Sequence, residues 1–223
     1  MFSRTELVIG KENLKKIKNS NILILGVGGV GGYVVEMLAR LGVENLTIVD
    51  FDKIDVTNIN RQTVAYASTI GKNKVDVLKN IVEQINAKCR IKSHMCKICS
   101  DNLNQIILPD FDYVIDAIDD IKAKVDVAKY CKKNNINLLS SMGTGNRYKG
   151  IPVFEVCDIY KTSYDKLAKK IRKMLKDEGV ESLDVVYTKQ PPEQTERLGS
   201  VVYYPLMCAG AIVSFVANKI INF

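Results

Sequence analysis

The chain has 223 residues, 47% of them hydrophobic and 26% charged, and its formal net charge is +7 at pH 7. This length and composition allow a full hydrophobic core, which excludes a small scaffold that depends on disulfide bonds. We expect one domain, with a core at 1–150 and an elaboration of the same domain at 151–223. The first residues are charged and helix-like, without a secretory leader or lipidation motif, so we expect a cytoplasmic enzyme.

The first predicted unit is a strand at 21–26, a glycine-rich turn and a helix at 31–41. The turn contains Gly26, Gly28, Gly29 and Gly31, in which the first, second and last follow the spacing GxGxxG. In this context the spacing predicts a phosphate-binding loop, because glycine lets the backbone approach an anion and a helix N-terminus favours negative charge. The alternative is that these glycines serve only packing, and the motif alone does not separate a dinucleotide from ATP.

A carboxylate and a polar segment follow the next strand, predicted at 45–50. Asp50 ends this strand, where a carboxylate can accept hydrogen bonds from ribose hydroxyls. Further nucleotide-binding candidates are Asp52, Asn58, Arg61, Gln62 and Lys74. A guanidinium and an ammonium beside a phosphate loop suit a triphosphate that releases pyrophosphate, whereas a hydride-transfer cofactor does not need them. The alternative for Arg61 and Lys74 is a solvated basic surface.

The other elements before residue 150 alternate between helix and strand. Strands are predicted at 90–96, 112–117 and 136–141, and helices at 11–18, 72–86, 122–134 and briefly after Ser100. This alternation predicts an α/β fold with a mostly parallel sheet covered by helices on both faces. Ligands of such sheets lie beyond the carboxyl ends of the strands, where Asp50 and Asp119 both fall. We expect Asp119 to hold magnesium beside a triphosphate, and Asp116 to be a helix cap or turn residue.

A basic helix distinguishes the part of the chain after Gly150. Strands predicted at 154–159 and 184–188 flank a helix predicted at 164–178. Its predicted buried stripe is Leu167, Ile171, Met174 and Leu175, and its other positions carry Lys166, Lys169, Lys170, Arg172, Lys173 and Lys176. A face of one charge sign this dense suits a polyanion such as tRNA, and a merely solvated helix face is the alternative.

Two further segments complete the chain. Residues 189–197 are polar and include paired prolines, which predicts a mobile loop. The apolar run at 206–221 is shorter than the roughly twenty residues that span a bilayer. It therefore predicts a buried helix at a subunit interface, with no membrane span.

The cysteines are expected to be reduced. Cys96 and Cys99 form a lone CxxC shortly after His94, the only histidine. A structural zinc site needs four ligands, and the chain has no second CxxC pair. We therefore expect partly buried thiols on and after a strand.

Taken together, these motifs resemble one superfamily. The glycine loop, Asp50, Asn58, Arg61, Lys74 and Asp116–Asp119 resemble the adenylation site of the ubiquitin-activating superfamily, which includes ThiF and the molybdopterin-synthase adenylyltransferases. Within it, the chain most resembles the tRNA threonylcarbamoyladenosine dehydratases on Phe2–Gly10, Ser141–Asn146 and Leu167–Gly179. The resemblance implies a Rossmann-like, ThiF-type fold that uses ATP and Mg²⁺ on tRNA. It also implies a homodimer in which Arg4 reaches the ATP of the other subunit, and it leaves open a monovalent cation near 143–146 and a cysteine desulfurase sulfur relay.

The expected reaction is carboxylate activation followed by ring closure. The carboxylate of threonylcarbamoyladenosine attacks the α-phosphate of ATP, and the side-chain nitrogen then displaces AMP, which is net dehydration. The catalytic residues implied are Arg61, Lys74, Asp119 and Arg4. One alternative is an adenylyltransferase for the C-terminus of a ubiquitin-like sulfur-carrier protein, which has no use for the basic helix. Another is an NAD(P)-dependent oxidoreductase, which leaves Asn58, Arg61 and Lys74 without a purpose.

Overall fold

The computed structural model describes residues 1–222, which form one seven-stranded sheet and the helices around it. The strands are β1 (Asn21–Leu25), β2 (Asn45–Val49), β3 (Arg90–His94), β4 (Tyr113–Asp116), β5 (Leu138–Ser141), β6 (Glu155–Asp158) and β7 (Asp184–Tyr187). The helices are α1 (Ser3–Ile9), α2 (Lys11–Asn19), α3 (Gly31–Leu41), α4 (Lys74–Ile85), α5 (Leu103–Ile106), α6 (Ile121–Lys133), α7 (Lys166–Asp177) and α8 (Tyr203–Ile221). Single 3-10 turns lie at Val56–Asn58, Ala67–Thr69 and Ile159–Lys161. The predicted α/β class is confirmed.

The order of the strands opens a crevice at the centre of the sheet. The order is β3-β2-β1-β4-β5-β7-β6, and neighbouring strands are parallel except for β6 and β7. From β1 the chain moves outward to β3 and then returns to β4 on the other side of β1. At such a reversal the connections leave in opposite directions, so ligands of open α/β sheets bind beyond the carboxyl ends of these strands. The glycine-rich loop leaves β1 at this point.

β1 is the centre of the hydrophobic core because its side chains are buried on both faces of the sheet. Ile22 and Ile24 pack in the cluster that contains α3, α4 and α8, whereas Leu23 and Leu25 pack in the cluster that contains α5 and α6. This division follows from the alternation of side chains along a strand. Each such side chain contributes roughly 1.5–3 kcal/mol on burial. The strand therefore gives the glycine-rich loop a rigid base.

The start of α4 differs from the prediction because the preceding residues pair with another segment. The Ile54 amide donates to the Lys72 carbonyl at 2.9 Å, and the Gly71 amide donates to the Ile54 carbonyl at 2.8 Å. This pairing keeps residues 71–73 out of the helix, which begins at Lys74 instead of residue 72. α1 was not predicted as a separate helix, and Gly10, with φ of +82°, separates it from α2.

α8 is the one helix within residues 1–222 that is long and apolar enough to cross a bilayer, with a mean hydropathy of 1.5. Its buried face, which includes Cys208, Ile212 and Val216, packs into the main core beside α3. That packing accounts for the apolar residues of the buried face, and the location of the helix at a subunit interface stays a prediction. The helix begins at Tyr203 instead of residue 206, since Pro205 is tolerated in a first turn, where amides lack intrahelical partners.

Asp116 has a larger role than the predicted cap or turn. Its Oδ1 does accept from the Ile118 amide at 3.0 Å, as a turn residue would. Its Oδ2, however, accepts from Lys124 Nζ at 2.9 Å and from Ser140 Oγ at 2.6 Å, and both members of the ion pair are fully buried. The prediction was incomplete because Lys124 reaches Asp116 only once α6 packs against the sheet. The pair ties α6 to the ends of β4 and β5 beneath the crevice.

Gly31 and Gly210 provide a matched test of the loop geometry, since both are helical glycines. A Cβ on Gly31 would lie 1.9 Å from the Gly26 carbonyl oxygen, whereas a Cβ on Gly210 would meet no atom within 4 Å. We expect Gly31→Ala to lower the free energy of unfolding by about 1–3 kcal/mol or more. Gly210→Ala should leave it unchanged or raise it by up to about 1 kcal/mol. Chemical denaturation measures both, and equal stabilities would contradict this account of the loop.

Candidate active site

A cleft of about 920 Å³ lies at the carboxyl ends of the central strands. One wall, called here the nucleotide wall after the binding predicted for it, contains ten of the predicted residues, namely Gly26, Gly28, Gly29, Asp50, Asp52, Asn58, Arg61, Gln62, Lys74 and Asp119. Gly31 lies behind the loop, where it packs against Gly26. Arg4 is exposed on α1 and is not among the residues that line the cleft. The structure therefore brings together in one chain all the predicted nucleotide residues except Gly31 and Arg4.

The glycines of the loop divide into two roles. Gly26 has φ of +82°, and a Cβ there would lie 2.8 Å from the Ala117 carbonyl oxygen, so Gly26 permits the close approach of β1 to the β4 exit. Gly28 and Gly29 instead face the cleft, and a Cβ on Gly28 would come no closer than 3.8 Å to Gln62 Nε2. The N-terminus of α3 follows directly, and its dipole favours an anion at this position.

Asp50 joins the glycine-rich loop to the polar segment that follows β2. Its Oδ2 accepts from the Val27 amide at 2.8 Å, and its Oδ1 accepts from the Asp52 amide at 2.8 Å. The residue is buried and lines the cleft. A carboxylate has about four acceptor sites, so Asp50 retains the capacity to accept from two ribose hydroxyls.

Lys74 is a buried lysine of the nucleotide wall. Its Nζ lies 2.7 Å from Asp52 Oδ2, and its side chain is 6% exposed against 46% for Asp52. Lys74 is the first residue of α4, where the helix dipole disfavours a positive charge. The negative charge of Asp52 offsets the unfavourable interaction of Lys74 with the helix dipole, and a bound polyphosphate would offset it further.

The segment between β2 and α4 holds Arg61 and two amides at the cleft. Arg61 Nη1 donates to the Thr57 carbonyl at 2.8 Å and to Asn60 Oδ1 at 2.9 Å. Asn58 is buried, and its Oδ1 accepts from the Asp55 amide at 3.2 Å. Gln62 Oε1 is buried without a hydrogen-bond partner in the part of the chain that the structure describes. Buried polar atoms are normally paired, so Gln62 has an acceptor available for a ligand or a water molecule.

Asp119 is the exposed carboxylate of the nucleotide wall. It is exposed in the loop between β4 and α6, and it lines the cleft. Residues 1–222 contain no group of three or more His, Cys, Asp or Glu side chains that could hold a metal ion. A single carboxylate still fits Mg²⁺, which commonly binds one or two carboxylates together with substrate phosphates and waters.

The second wall of the cleft comes from the loop after β5 and from the C-terminal elaboration, whose position sequence reasoning did not predict. Asp165 and Arg147 form a buried ion pair of 3.3 Å in this wall, with side chains 1% and 3% exposed. Arg147 Nε also donates to the Gln190 carbonyl at 2.8 Å, and Asp165 Oδ1 caps α7 by accepting from the Ala168 amide at 2.8 Å. Burial lowers the pKa of Arg147, and the charge of Asp165 opposes that shift. Neither residue was predicted, although an Asp one position before a helix is a capping signal.

Arg147 also lies beside the loop at 143–146, for which the resemblance left a monovalent cation open. Its Nη1 donates to the Gly143 carbonyl at 2.7 Å and to the Gly145 carbonyl at 3.3 Å. The guanidinium thus already places a positive charge at these carbonyl oxygens. A monovalent cation at 143–146 stays a prediction.

The first residues of α7 line the cleft, and the exposed side of the rest of the helix is basic. Lys166 and Leu167 line the cleft, and the exposed lysines of the helix are Lys166, Lys169, Lys170, Lys173 and Lys176. None of these five forms an ion pair with a residue of the described chain. Met174 is exposed, which corrects the predicted stripe, and Ala168 packs inside with Ile171 and Leu175.

Arg172 differs from the lysines of α7 because it contacts its own chain. Its Nη1 donates to the Ile159 carbonyl at 3.1 Å and to the Thr162 carbonyl at 2.9 Å, and it also contacts Thr162 Oγ1. These bonds hold the Ile159–Lys161 turn against the helix. Arg172 is therefore a structural residue, and the exposed basic residues of α7 are the five lysines.

The CxxC lies beside the cleft, and within residues 1–222 it belongs to no group of three or more side chains that could hold a metal ion. Cys96 is half-buried and lines the cleft next to Lys97 and Ile98, and Cys99 is exposed. Burial raises the pKa of Cys96, and the nearby Cys99 adds to that shift. His94 is exposed at the end of β3 and does not line the cleft.

The ThiF family matches residues 2–222, almost the whole chain. The chain belongs to the ThiF family. The tRNA threonylcarbamoyladenosine dehydratase of Bacillus subtilis (strain 168) is 42% identical to this ThiF-family chain over 192 residues. That match covers 86% of this chain and 75% of the Bacillus protein. The predicted resemblance is thereby confirmed.

Solved structures of the same class share the fold. Crystal structures of the E. coli tRNA N6-threonylcarbamoyladenosine dehydratase TcdA in complex with AMP and with ATP superpose with TM-scores of 0.94. They are 31% and 30% identical and cover 99% of this ThiF-family chain and 94% and 93% of their own. By contrast, a molybdopterin-synthase adenylyltransferase of Haemophilus influenzae is 34% identical over 61% of the chain and 55% of that protein. The resemblance to the dehydratases thus extends further along this chain.

The thiols give a test of the burial pattern in this ThiF-family chain. Burial raises the pKa of Cys131 and of Cys208 to about 12, whereas Cys99 is exposed. A raised pKa keeps a thiol protonated below that pH, so at pH 8 about one in ten thousand of these two groups is thiolate. We expect iodoacetamide to label Cys99 in the folded protein and to spare Cys131 and Cys208 until denaturant is added. Peptide mass spectrometry measures this, and equal labelling of Cys99 and Cys208 in the folded protein would contradict it.

Proposed function

We propose that the chain is an ATP-dependent tRNA threonylcarbamoyladenosine dehydratase. The observation that carries the proposal is a single cleft with a nucleotide wall on one side and the start of an unpaired lysine helix on the other. A nucleotide wall alone suits any adenylating enzyme. The lysines of α7 add a surface for a polyanion that continues from the same cleft, as tRNA requires. The similar dehydratases from B. subtilis and E. coli support the same substrate.

In this proposal the nucleotide wall binds ATP from the ribose to the γ-phosphate. Asp50 accepts from the ribose, and the amides of Gly28 and Gly29 with the α3 dipole hold the phosphates. Arg61 and Lys74 supply the positive charge, while Asn58 and Gln62 add polar contacts. Gln62 is well suited to this because its Oε1 is the unpartnered buried atom of the site among residues 1–222.

Asp119 would hold Mg²⁺ together with the phosphates. The bound ion would neutralise charge on the pyrophosphate as it leaves. Asp119 is the exposed carboxylate that lines the cleft next to the β4 exit, which makes it available as a ligand.

The reaction proceeds in two displacements that need no enzyme nucleophile. A carboxylate oxygen of threonylcarbamoyladenosine attacks the α-phosphorus of ATP, the bond to the β-phosphate breaks, and pyrophosphate leaves. The side-chain nitrogen then attacks the activated carbonyl carbon, AMP leaves with the carboxylate oxygen, and a ring closes with loss of a proton. The contribution of the chain is to position both groups and to stabilise phosphate charge in a cleft that restricts water.

Two assembly features also belong to the proposal. Arg4 is exposed on α1 outside the cleft of its own chain, so it can act on ATP only from a second subunit of a homodimer. A cysteine desulfurase of a sulfur-relay system is a further proposed partner. The sulfur-carrier alternative would use the same ATP site but would leave the lysine surface of α7 without a role.

Mass spectrometry of the tRNA tests the function. The protein is incubated with ATP, Mg²⁺ and tRNA that carries threonylcarbamoyladenosine, and the nucleosides are then analysed. The proposal expects a product lighter by one water, with AMP formed in equal amount. An unchanged nucleoside, together with adenylation of a sulfur-carrier C-terminus, would favour the alternative.

Replacement of Arg61 tests its proposed role at the phosphates. Arg61→Ala should lower ATP–pyrophosphate exchange, measured with the modified tRNA, by about a hundredfold or more, since a charge that stabilises the transition state is lost. Arg40→Ala is the control, because Arg40 is an exposed arginine paired with Glu36 on α3. Both variants should keep the thermal midpoint of the unmodified protein. Retained exchange in Arg61→Ala would refute the assignment.

Neutralising three lysines of α7 tests the tRNA surface. The triple variant Lys169→Gln, Lys170→Gln, Lys173→Gln should weaken tRNA binding and reduce the slope of log K against log salt by up to about 3, because each phosphate contact releases counterions. The control removes the same charge from exposed lysines elsewhere, through Lys88→Gln, Lys132→Gln and Lys133→Gln. Equal losses in the two triple variants would indicate a general charge effect and contradict a tRNA site on α7.

A further inference from the structure

Asn60 connects the two walls of the cleft through a single side-chain amide. Its Oδ1 accepts from Arg61 Nη1 at 2.9 Å, and its Nδ2 donates to the Ser200 carbonyl at 2.9 Å. An amide has one accepting end and one donating end, so these two partners fix its orientation. Asn60 and Ser200 both line the cleft. The amide therefore lies between the arginine of the nucleotide wall and the segment that precedes α8.

The segment at 191–200, called here the closing segment, contacts Asn60 through Ser200, and a second residue, Asn146, also holds it. The Asn146 amide donates to the Gly199 carbonyl at 2.8 Å, and its Oδ1 accepts from the Gly199 amide at 2.6 Å. Its carbonyl accepts from the Glu193 amide at 2.6 Å. Asn146 has φ of +57°, a left-handed conformation that Asn tolerates better than most residues. The closing segment thus contacts the loop after β5 through Asn146 and the nucleotide wall through Asn60.

The position of Arg61 depends on this arrangement. Within residues 1–222, the protein hydrogen bonds of its guanidinium all come from Nη1, which contacts the Thr57 carbonyl and Asn60 Oδ1. Nε and Nη2 remain for a phosphate. A shift of the Ser200 carbonyl turns the Asn60 amide, and this moves one of the two acceptors that orient the guanidinium.

We infer that Asn60 is a positioning residue that couples the closing segment to Arg61. The inference rests on the proposed function, because RNA bound across the cleft would press on the closing segment while ATP engages Arg61. Both ligands would use the arrangement in which Asn60 orients Arg61, so each should strengthen the binding of the other, and by the same factor because energetic coupling between two sites is reciprocal. A merely structural Asn60 would support stability without linking the two affinities.

Two variants separate the contacts of Asn60. Asn60→Asp keeps an acceptor for Arg61 but presents an oxygen to the Ser200 carbonyl, whereas Asn60→Ala removes both contacts. Asn137→Ala is the control, because the exposed Asn137 amide makes a similar 3.0 Å bond to the Asp112 carbonyl before β5, at the opposite end of the sheet. The measured quantity is the ratio of the dissociation constants of the α,β-methylene analogue of ATP without and with modified tRNA. Asn60→Asp introduces a negative charge next to the nucleotide site. An effect of this charge that is the same with and without tRNA cancels in the ratio.

The unmodified protein and Asn137→Ala should give a ratio of about five or more, and both Asn60 variants should give a ratio near one with unchanged thermal midpoints. A ratio of one in the unmodified protein, or a full ratio in both Asn60 variants, would overturn the inference.

Turnover of the same tRNA by the unmodified protein is measured in parallel. If turnover occurs while the ratios contradict coupling, the inference alone fails; absence of turnover would refute the proposed function, and the inference with it.

Discussion

The hydrogen bonds of the Asp50 carboxylate are the constraint on which the nucleotide wall depends. One oxygen holds the Val27 amide at the start of the glycine-rich loop, and the other holds the Asp52 amide. Asp52 in turn pairs with the buried Lys74. Because Asp50 directly follows β2, which pairs with β1, this chain of contacts rests on the buried centre of the sheet. The glycine-rich loop, Asp50 and Lys74 are thereby linked in one geometry.

A second carboxylate organises the opposite wall. Asp165 caps α7 and pairs with Arg147, and Arg147 holds the carbonyls of its own loop and of Gln190. The buried ion pair thus joins the elaboration to the loop after β5, which holds both beside the nucleotide wall. This placement gives the site its proposed specificity. In the proposed function, the nucleotide wall accounts for adenylation and the exposed lysines of α7 offer the surface for RNA.

Local patterns were sufficient to predict the first wall. The GxGxxG spacing and the helix after it gave α3 with the observed bounds, 31–41, because glycine positions and apolar periodicity are properties of neighbouring residues. Asp50, Arg61 and Lys74 were identified by residue type and by resemblance, and the structure brings them together in one cleft. Pairs that form only through tertiary packing were missed, namely Asp116 with Lys124 and Arg147 with Asp165. For the same reason Arg172 was grouped with the lysines, although it reaches back to carbonyls that precede the helix.

The account centres on attack of a tRNA-borne carboxylate on the α-phosphate in this cleft, and the fate of the carboxylate oxygen tests it most directly. The substrate is tRNA whose threonylcarbamoyl carboxylate carries oxygen-18, incubated with ATP and the full chain. The account predicts that the heavy oxygen appears in the phosphate of AMP, with none in pyrophosphate. Unlabelled AMP, or release of ADP with the label in inorganic phosphate, would contradict it.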